Sequence, residues 1–214
     1  MISQLYDVLG PKDEQTSRQL LGVVVGVVTN NQDPDGMGRV KVKFPWLNDQ
    51  DESHWARICS LMAGKGRGAY FLPEIDDEVL VAFEHGDRRC PYILGALWNG
   101  EDAPPTTNSD GKNDVRLIQS RSGHVIRFND ADGKETIEII DKNDNSITFD
   151  AVRNSLTIAT KKDIMLSAPQ GTITLDAQTI EIKASTQTTL QAGSTMDVKA
   201  NATMNIKGAM VNIN

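Results

Sequence analysis

The last third of the chain repeats a short pattern of apolar and polar positions. From residue 147 onward, apolar side chains fall in pairs two residues apart, and successive pairs begin seven to nine residues apart. A spacing of two places both side chains on one face of a β-strand. A short, strict period predicts a stack of similar rungs rather than a globule. The pairs are Ile147/Phe149, Leu156/Ile158, Ile164/Leu166, Ile173/Leu175, Ile180/Ile182, Thr188/Leu190, Met196/Val198, Met204/Ile206 and Val211/Ile213.

The length of this repeat favours several copies of the chain wound together. A β-helix built from one chain usually needs roughly 20 residues per coil, whereas a repeat of about eight residues supplies one strand and one corner. Three copies would provide the three faces of a prism, so the sequence predicts an intertwined triple-stranded β-helix in a homotrimer. An ordinary antiparallel sheet and a single-chain β-helix are the alternatives. The predicted trimer core is Ile164, Leu166, Ile173, Leu175, Ile180, Ile182, Leu190, Met196, Val198, Met204 and Ile206.

The first half of the chain has a different composition. Nine of the eleven aromatic residues and seven of the eight prolines precede residue 113, as is typical of a domain with an ordinary core. Five short strands without a convincing helix between them favour an OB-fold barrel. The fourth strand is continuously apolar, so both of its faces are expected to be covered. The five expected strands are 20–30, 39–44, 55–60, 79–83 and 92–97.

The predicted fold class is therefore all-β, with an OB-fold followed by a β-helical needle. Its expected segments are an N-terminal segment that contacts a hub (1–19), the OB-fold domain (20–100), a linker (101–114), and a strand neck with the needle (115–214). Residues 3–9 favour a short helix. In the neck, 115–128 and 136–149 are expected to be strands, with turns at 129–133 and 141–145.

Charge and cysteine content exclude some classes of protein. The net charge is −7 and the pI is about 5.0, which makes the chain a poor candidate for binding nucleic acid. Cys59 and Cys90 are interpreted as free buried thiols, and a single disulfide is left open. No signal peptide is evident at the N-terminus, and the longest apolar run, 20–28, is too short to cross a membrane. Synthesis in the cytoplasm is expected.

Candidate chemistry is sparse, and neither an enzyme nor a cofactor is expected. Ser122-Gly123-His124 has no flanking motif that would activate a serine. The Asp-Gly segments at 33–36 and 130–133 resemble the start of a calcium loop but are more simply turns. Arg39, Lys41 and Lys43 form a basic stripe that is solvated or pairs with acidic groups of a neighbouring subunit. The alternative is that this stripe binds single-stranded nucleic acid.

A series of motifs resembles one protein family. They are Arg39-Val-Lys-Val-Lys-Phe-Pro-Trp46, Trp55-Ala-Arg57, Ala63-Gly-Lys-Gly-Arg-Gly-Ala-Tyr-Phe-Leu-Pro73, Asp77-Glu-Val-Leu-Val-Ala-Phe83, Gly86-Asp87, Pro91-Tyr-Ile-Leu-Gly95, Asn99-Gly100 and Ser120-Arg-Ser-Gly-His-Val-Ile-Arg-Phe128. In this order they resemble the core of the VgrG spike proteins and of phage baseplate assembly protein V. The resemblance covers about residues 20–150, and the repeat that follows matches the family in kind.

The resemblance implies the homotrimeric central spike of a contractile injection machine, which is a phage tail, a tailocin, or a type VI or extracellular injection system. A separate hub protein is implied because 1–19 is too short to be the hub domain of VgrG. The C-terminal segment lacks the histidines that could form a tip of its own, since no histidine follows His124. A PAAR-type tip protein is therefore expected at Val211, Asn212, Ile213 and Asn214. The target membrane would be pierced transiently by a virion-like particle. The alternative is an OB-fold binding module for nucleic acid or saccharide on a passive stalk. The particular machine, its target envelope and any effector on the tip are left open.

Overall fold

The regular secondary structure of the described residues is almost all β, which confirms the predicted all-β class, whereas the trimeric β-helix stays a prediction. The computed structural model describes residues 20–213, and for residues 48–51 it describes the backbone alone. The short helix predicted at 3–9 therefore lies outside the described residues. Over the described part, the exception to β-structure is a 3-10 turn at Glu84–Gly86, and no helix there has the length and apolarity to cross a membrane. The chain divides into two compact units, the second beginning at Thr160.

The first unit begins with a curled six-stranded sheet. Its strands lie in the order β3-β2-β1-β7-β8-β4, and a two-stranded hairpin, β5-β6, accompanies it. Pairing is antiparallel except between β4 and β8. The five predicted strands correspond to β1, β2, β4, β7 and β8, whereas β3 and the small hairpin were not predicted. The bounds are β1 Val23–Asn30, β2 Lys41–Phe44, β3 Asn48–Glu52, β4 Arg57–Ile58, β5 Ala63–Gly64, β6 Arg67–Gly68, β7 Glu78–Phe83 and β8 Pro91–Ala96.

The core of this barrel is formed by alternate positions of the central strands. In β7, Val79, Val81 and Phe83 are buried, whereas Leu80 and Ala82 are half-buried on the outer side. The inner face of this strand is therefore covered by the core, and the prediction that its outer face is covered as well stays a prediction. Each fully buried aliphatic side chain contributes roughly 1.5–3 kcal/mol. The core comprises Val28, Val40, Val42, Phe44, Ala56, Val79, Val81, Phe83 and Ile93.

A second sheet, the neck sheet, follows in the same unit. It is a five-stranded antiparallel meander in the order β13-β12-β11-β10-β9, so every strand pairs with its neighbours in the sequence. The predicted strand at 115–128 is in fact two strands, because the backbone reverses where the Ser120 N–H donates to the His124 carbonyl and Gly123 has a φ of +91°. The strands are β9 Val115–Gln119, β10 Val125–Asn129, β11 Thr136–Ile140, β12 Ser146–Asp150 and β13 Ser155–Ala159.

The second unit, residues 160–213, has no strand-to-strand pairing among its described residues. Every described side chain in it is exposed. The first two pairs of the repeat do not belong to it, because Ile147/Phe149 and Leu156/Ile158 lie opposite each other on β12 and β13. Pairing with sequence neighbours therefore ends at Ala159.

Candidate assembly surfaces

One face of the neck sheet is almost entirely apolar. Residues directly opposite each other on antiparallel strands share a face, and the register places nine apolar side chains and one arginine in two continuous rows. These apolar side chains are 37–54 % exposed, although a large contiguous apolar patch is uncommon on a soluble monomer. The rows are Ile118–Ile126–Ile139–Ile147–Ile158 and Arg116–Phe128–Ile137–Phe149–Leu156.

The opposite face of the same sheet is mainly polar. Its middle row is Leu117–Arg127–Glu138–Thr148–Thr157, and the Arg127 Nε donates to the Glu138 carboxylate at 2.6 Å. Charged and hydroxyl side chains of this kind are suited to contact with water. The sheet is thus amphipathic, and its apolar face is the side that requires a partner.

The second unit continues this two-sided pattern on a single extended chain. The predicted trimer-core residues are 45–71 % exposed within one chain. Charged residues occupy the alternate positions, where Lys183 pairs with Glu181 at 2.6 Å and Lys199 lies 4.0 Å from Asp197. Of the residues predicted to contact a tip protein, Val211 and Ile213 are exposed, and Asn214 lies outside the described residues.

The basic stripe of the barrel is engaged within its own chain. Arg39 forms ion pairs of 2.6 Å with both Asp33 and Asp35, and Lys41 pairs with Glu52 at 3.0 Å. Both cations also lie over the ring of Trp55, 5.8 and 5.6 Å from its centroid. Both residues therefore have acidic partners within their own chain, and Lys41 is still partly solvated, whereas pairing with a neighbouring subunit stays a prediction. An arginine and a lysine already bound to carboxylates are also less suited to holding a phosphate backbone.

Asp33 organises the turn that enters β2. Its side chain is 3 % exposed and accepts hydrogen bonds from the Arg39 guanidinium and from the N–H groups of Asp35, Met37 and Arg39. These donors, the Arg39 side chain first, hold the pKa of Asp33 well below its usual range. Because the folded-state pKa is lowered, the stabilisation is complete above the ordinary aspartate pKa of about 4 and is lost as the pH falls further. The calcium-like segment is thus a turn that Arg39 closes.

Replacing this carboxylate should weaken the barrel more than replacing its neighbour. We expect Asp33→Asn to lower the melting temperature by several degrees, since an amide cannot accept as many hydrogen bonds from cationic and backbone donors. Asp35→Asn is the matched control, because Asp35 is mostly exposed and contributes one of the two ion pairs. Tryptophan fluorescence reports on this region, as all three tryptophans precede residue 99. Equal melting temperatures for the two variants would contradict the assigned role of Asp33.

The candidate catalytic segment forms a turn. The Ser122 hydroxyl lies 3.4 Å from the Ser120 hydroxyl, and the His124 Nδ1 accepts the Lys142 N–H at 3.3 Å. The first contact lies within one turn and the second joins two neighbouring turns of the neck sheet, so neither pairs a nucleophile with a base. Among the described residues, no cluster of three or more histidine, cysteine or acidic side chains is positioned to hold a metal.

The two cysteines are free thiols, as expected, but the predicted burial is wrong. Cys59 and Cys90 are both exposed. Each lies just outside a strand, Cys59 after β4 and Cys90 before β8. Neither therefore occupies one of the alternating positions that face the core.

Sequence reasoning missed two features of these surfaces. The apolar rows of the neck could have been found from the pairs Ile126/Phe128 and Ile137/Ile139, which have the same spacing of two as the repeat. The structural role of Asp33 could not be recognised from the sequence, because it depends on the folded turn that places Arg39 beside it.

Comparison with known proteins agrees with this architecture. Residues 24–98 match the family described as the type VI secretion system/phage-baseplate injector OB domain. The chain is 31 % identical over 131 residues to the actin cross-linking toxin VgrG1 of Vibrio cholerae, covering 58 % of this chain and 12 % of the relative. It is 32 % identical over 140 residues to the type VI secretion system spike protein VgrG5 of Pseudomonas aeruginosa, covering 59 % of this chain and 18 % of the relative.

Residues 24–98 thus form an OB domain that is similar to those of type VI secretion and phage-baseplate injectors. The chain is related to VgrG-type spike and baseplate proteins, which confirms the resemblance that its motifs indicated. The aligned region spans less than a fifth of the length of these relatives. Relatives such as VgrG1a of Pseudomonas aeruginosa, 32 % identical over 114 residues that cover 50 % of this chain and 18 % of the relative, are named as spike proteins.

Proposed function

We propose that this chain is the structural central spike of a contractile injection machine, and that it acts as a homotrimer without catalytic activity. The observation that carries the proposal is the series of apolar pairs in residues 160–213, whose side chains are exposed in a single chain. A sequence with one apolar side and no pairing of its own requires other strands to cover it. Relatives named as spike proteins support the same role.

Three copies of the chain would bury both assembly surfaces around one axis. The apolar face of each neck sheet would point inward, and the pairs after residue 160 would continue the same interior as an intertwined β-helix. Charged residues such as Glu181 and Lys183, which alternate with the pairs, would form the solvated outer wall. The absence of aromatic residues after Phe149 suits an axis where three identical side chains meet, because rings would be too bulky there.

The proposed function is mechanical. The seven pairs after residue 160, as rungs of roughly 4.8 Å each, would give a needle of roughly 34 Å, which contraction of a sheath would drive through an envelope. Each buried Ile or Leu contributes roughly 1.5–3 kcal/mol, and each rung contains three copies. Sliding or bending would break many ladder hydrogen bonds together, so the needle would be stiff.

The spike would be attached at both ends to other proteins. We propose a hub or baseplate protein as the partner on the N-terminal side of the OB domain and a PAAR-type tip protein at Val211–Asn214. The exposure of Val211 and Ile213 supports a covering partner there. Intact particles that carry this spike but no additional protein at that end would contradict the tip assignment.

The oligomeric state of the full chain is the first test. We expect a mass near 70 kDa by light scattering, which is three times the 23.4 kDa of one chain, and a trimer for the fragment 114–214 as well. The trimer should resist dilution, because its folding is inseparable from its assembly. A full chain that stays at 23.4 kDa would overturn the proposal, since the apolar pairs would then be covered by something other than copies of this chain.

A further inference from the structure

The barrel carries a hairpin whose side chains are mostly exposed and whose charge is positive. We name residues 61–71, which contain the paired strands β5 and β6, the basic hairpin. Leu61 is 95 % exposed and Phe71 is 65 % exposed, and the exposed Lys65 and Arg67 supply the charge, since no acidic residue occurs in this segment. Within the described part of the chain, neither cation has an ion-pair partner. The hairpin therefore presents apolar side chains together with two free cations.

The basic hairpin is held at its base. The Ser60 hydroxyl donates to the Ala69 carbonyl at 2.5 Å, and the Ala69 N–H donates to the Met62 carbonyl at 2.9 Å. Leu72, directly after the hairpin, packs against the core of the barrel. These contacts fix both arms, so the exposed side chains extend from a defined structure and a partner would not have to order them.

A cavity with complementary properties lies where the barrel leads into the neck sheet. It has a volume of about 430 Å³, which is the size of a small ligand pocket. Residues 99–114 carry four acidic residues and one lysine. Two of these acids, Glu101 and Asp102, are exposed, and their N–H groups both donate to the Asn99 Oδ1, at 2.8 and 2.7 Å. We name this cavity the linker pocket, and its apolar lining consists of Trp98, Pro104, Pro105, Val115 and Leu117.

The linker pocket and the basic hairpin connect to opposite ends of β9. Val115 and Leu117, in the first half of this strand, line the pocket. The turn after the strand is joined to the segment that follows the hairpin, because Arg121 pairs with Glu74 at 3.0 Å. Since β9 has five residues, it is about 17 Å long. The two surfaces are therefore at the same level of the neck but on different sides of it.

This arrangement is suited to a contact between successive copies of the chain. Rungs that stack along a needle run across its axis, so the two ends of β9 would face the two neighbouring copies in the proposed trimer. A contact between two different surfaces of successive copies can close into a ring under three-fold symmetry. Because the linker pocket has an apolar lining and the opposite charge, it matches the basic hairpin in both respects.

We infer that the basic hairpin of one copy docks on the linker pocket of the next copy. Lys65 and Arg67 then face Glu101 and Asp102, and the apolar arms of the hairpin cover the lining of the pocket. This contact rests on the proposed trimer and adds a second interface to it, outside the neck and the needle. A separate protein is the competing occupant.

Interchain cross-linking of the full chain tests this contact. The background carries Cys59→Ser and Cys90→Ser, since both native thiols are exposed. The reporters are Ala63→Cys on the hairpin and Thr106→Cys at the pocket. A bismaleimide should join the two reporters between chains, which gives dimer and trimer bands on a denaturing gel, whereas a link within one chain leaves a monomer band. Neither reporter alone should give the larger bands.

Charge reversal separates docking from mere proximity. We expect Lys65→Glu with Arg67→Glu to lower the yield of interchain product at least about fivefold, because carboxylates would then face carboxylates. Adding Glu101→Lys and Asp102→Lys exchanges the charges of the two surfaces and should restore the yield.

The matched control is Arg88→Glu with Lys134→Glu. These substitutions make the same change in net charge at exposed positions outside both surfaces, so the yield should stay as it was. Light scattering of every variant shows whether the trimer persists, since the neck and the needle should hold it without the hairpin.

Each outcome decides the inference. A trimer in which the yield falls on reversal and returns on exchange supports it. A trimer in which the yield is low from the outset, does not respond to reversal, or does not return on exchange overturns it and leaves the hairpin open to a separate protein. A chain that is monomeric in light scattering overturns the proposed trimer together with this contact, so the two failures are distinguishable.

Discussion

Ile182→Asp is expected to abolish the trimer. Ile182 lies in the middle of the repeat and is 68 % exposed in a single chain. An aspartate there would therefore change the free energy of one isolated chain only slightly. In a trimer the substitution would place three carboxylates near the axis, and it would remove burial worth roughly 5–9 kcal/mol over three copies. An uncompensated buried charge adds a still larger cost. Light scattering should therefore report a monomer or aggregate where the unaltered chain has three times the monomer mass.

The adjacent residue provides the matched control for this experiment. Lys183 is exposed, and its ion pair with Glu181 is on the surface, where such pairs contribute under about 1 kcal/mol. Lys183→Asp introduces the same new side chain one position away, on the side proposed to face water. We expect it to remain trimeric with a slightly lower melting temperature. If Ile182→Asp gave a soluble trimer with the melting temperature of the unaltered chain, the proposed packing would be wrong.

The strands of the barrel could be predicted from the sequence only in part. Its five predicted strands are present because most are β-branched or apolar runs, or alternate apolar with polar residues, and are bounded by turn residues. The strand β3 was missed because Asn48-Asp-Gln-Asp-Glu52 contains residues that rarely favour strands. Pairing with β2 places it in the sheet, and that is a tertiary effect that no local pattern contains.

The assembly surfaces, too, could be predicted from the sequence only in part. The spacing of two in the repeat was visible directly, because strand periodicity is a local property. The neck hairpin at Ser120–His124 was missed although Ser122-Gly123 is a turn signal, because the residues on either side also fit one continuous strand. The two apolar rows of the neck depend on the register of five strands, and a shift of one residue in any strand would move its apolar side chains to the other face.

The OB domain and the repeat have different roles in the proposed spike, and their side-chain contacts differ accordingly. Arg39 and Lys41 are held by carboxylates of the same chain, so the polar groups of the barrel stabilise its own turns and strands. The neck sheet and residues 160–213 instead expose regular rows or pairs of apolar side chains in one chain. A chain that pairs its polar groups internally and leaves apolar side chains exposed is suited to assembly with other chains more than to recognition of a charged ligand.

Ile139→Asp in the neck sheet should have an effect as large as the one in the needle. Ile139 lies on the central strand β11, directly opposite Ile126 and Ile147, and it is 49 % exposed. An aspartate at a half-exposed position would disturb an isolated sheet only moderately. In the proposed trimer it would lie in the closed interior, so we expect loss of the trimer by light scattering, with the tryptophan fluorescence of the barrel unchanged.

Thr157→Asp is the control, because Thr157 lies opposite Thr148 on the polar face of the same sheet. It should stay trimeric, since the new carboxylate would be solvated in either state. The differences in mass and in melting temperature between these two variants show whether the apolar face of the neck sheet is covered. Equal masses and equal melting temperatures would mean that the face remains open to water, and the neck would then be a passive connection between the barrel and the needle.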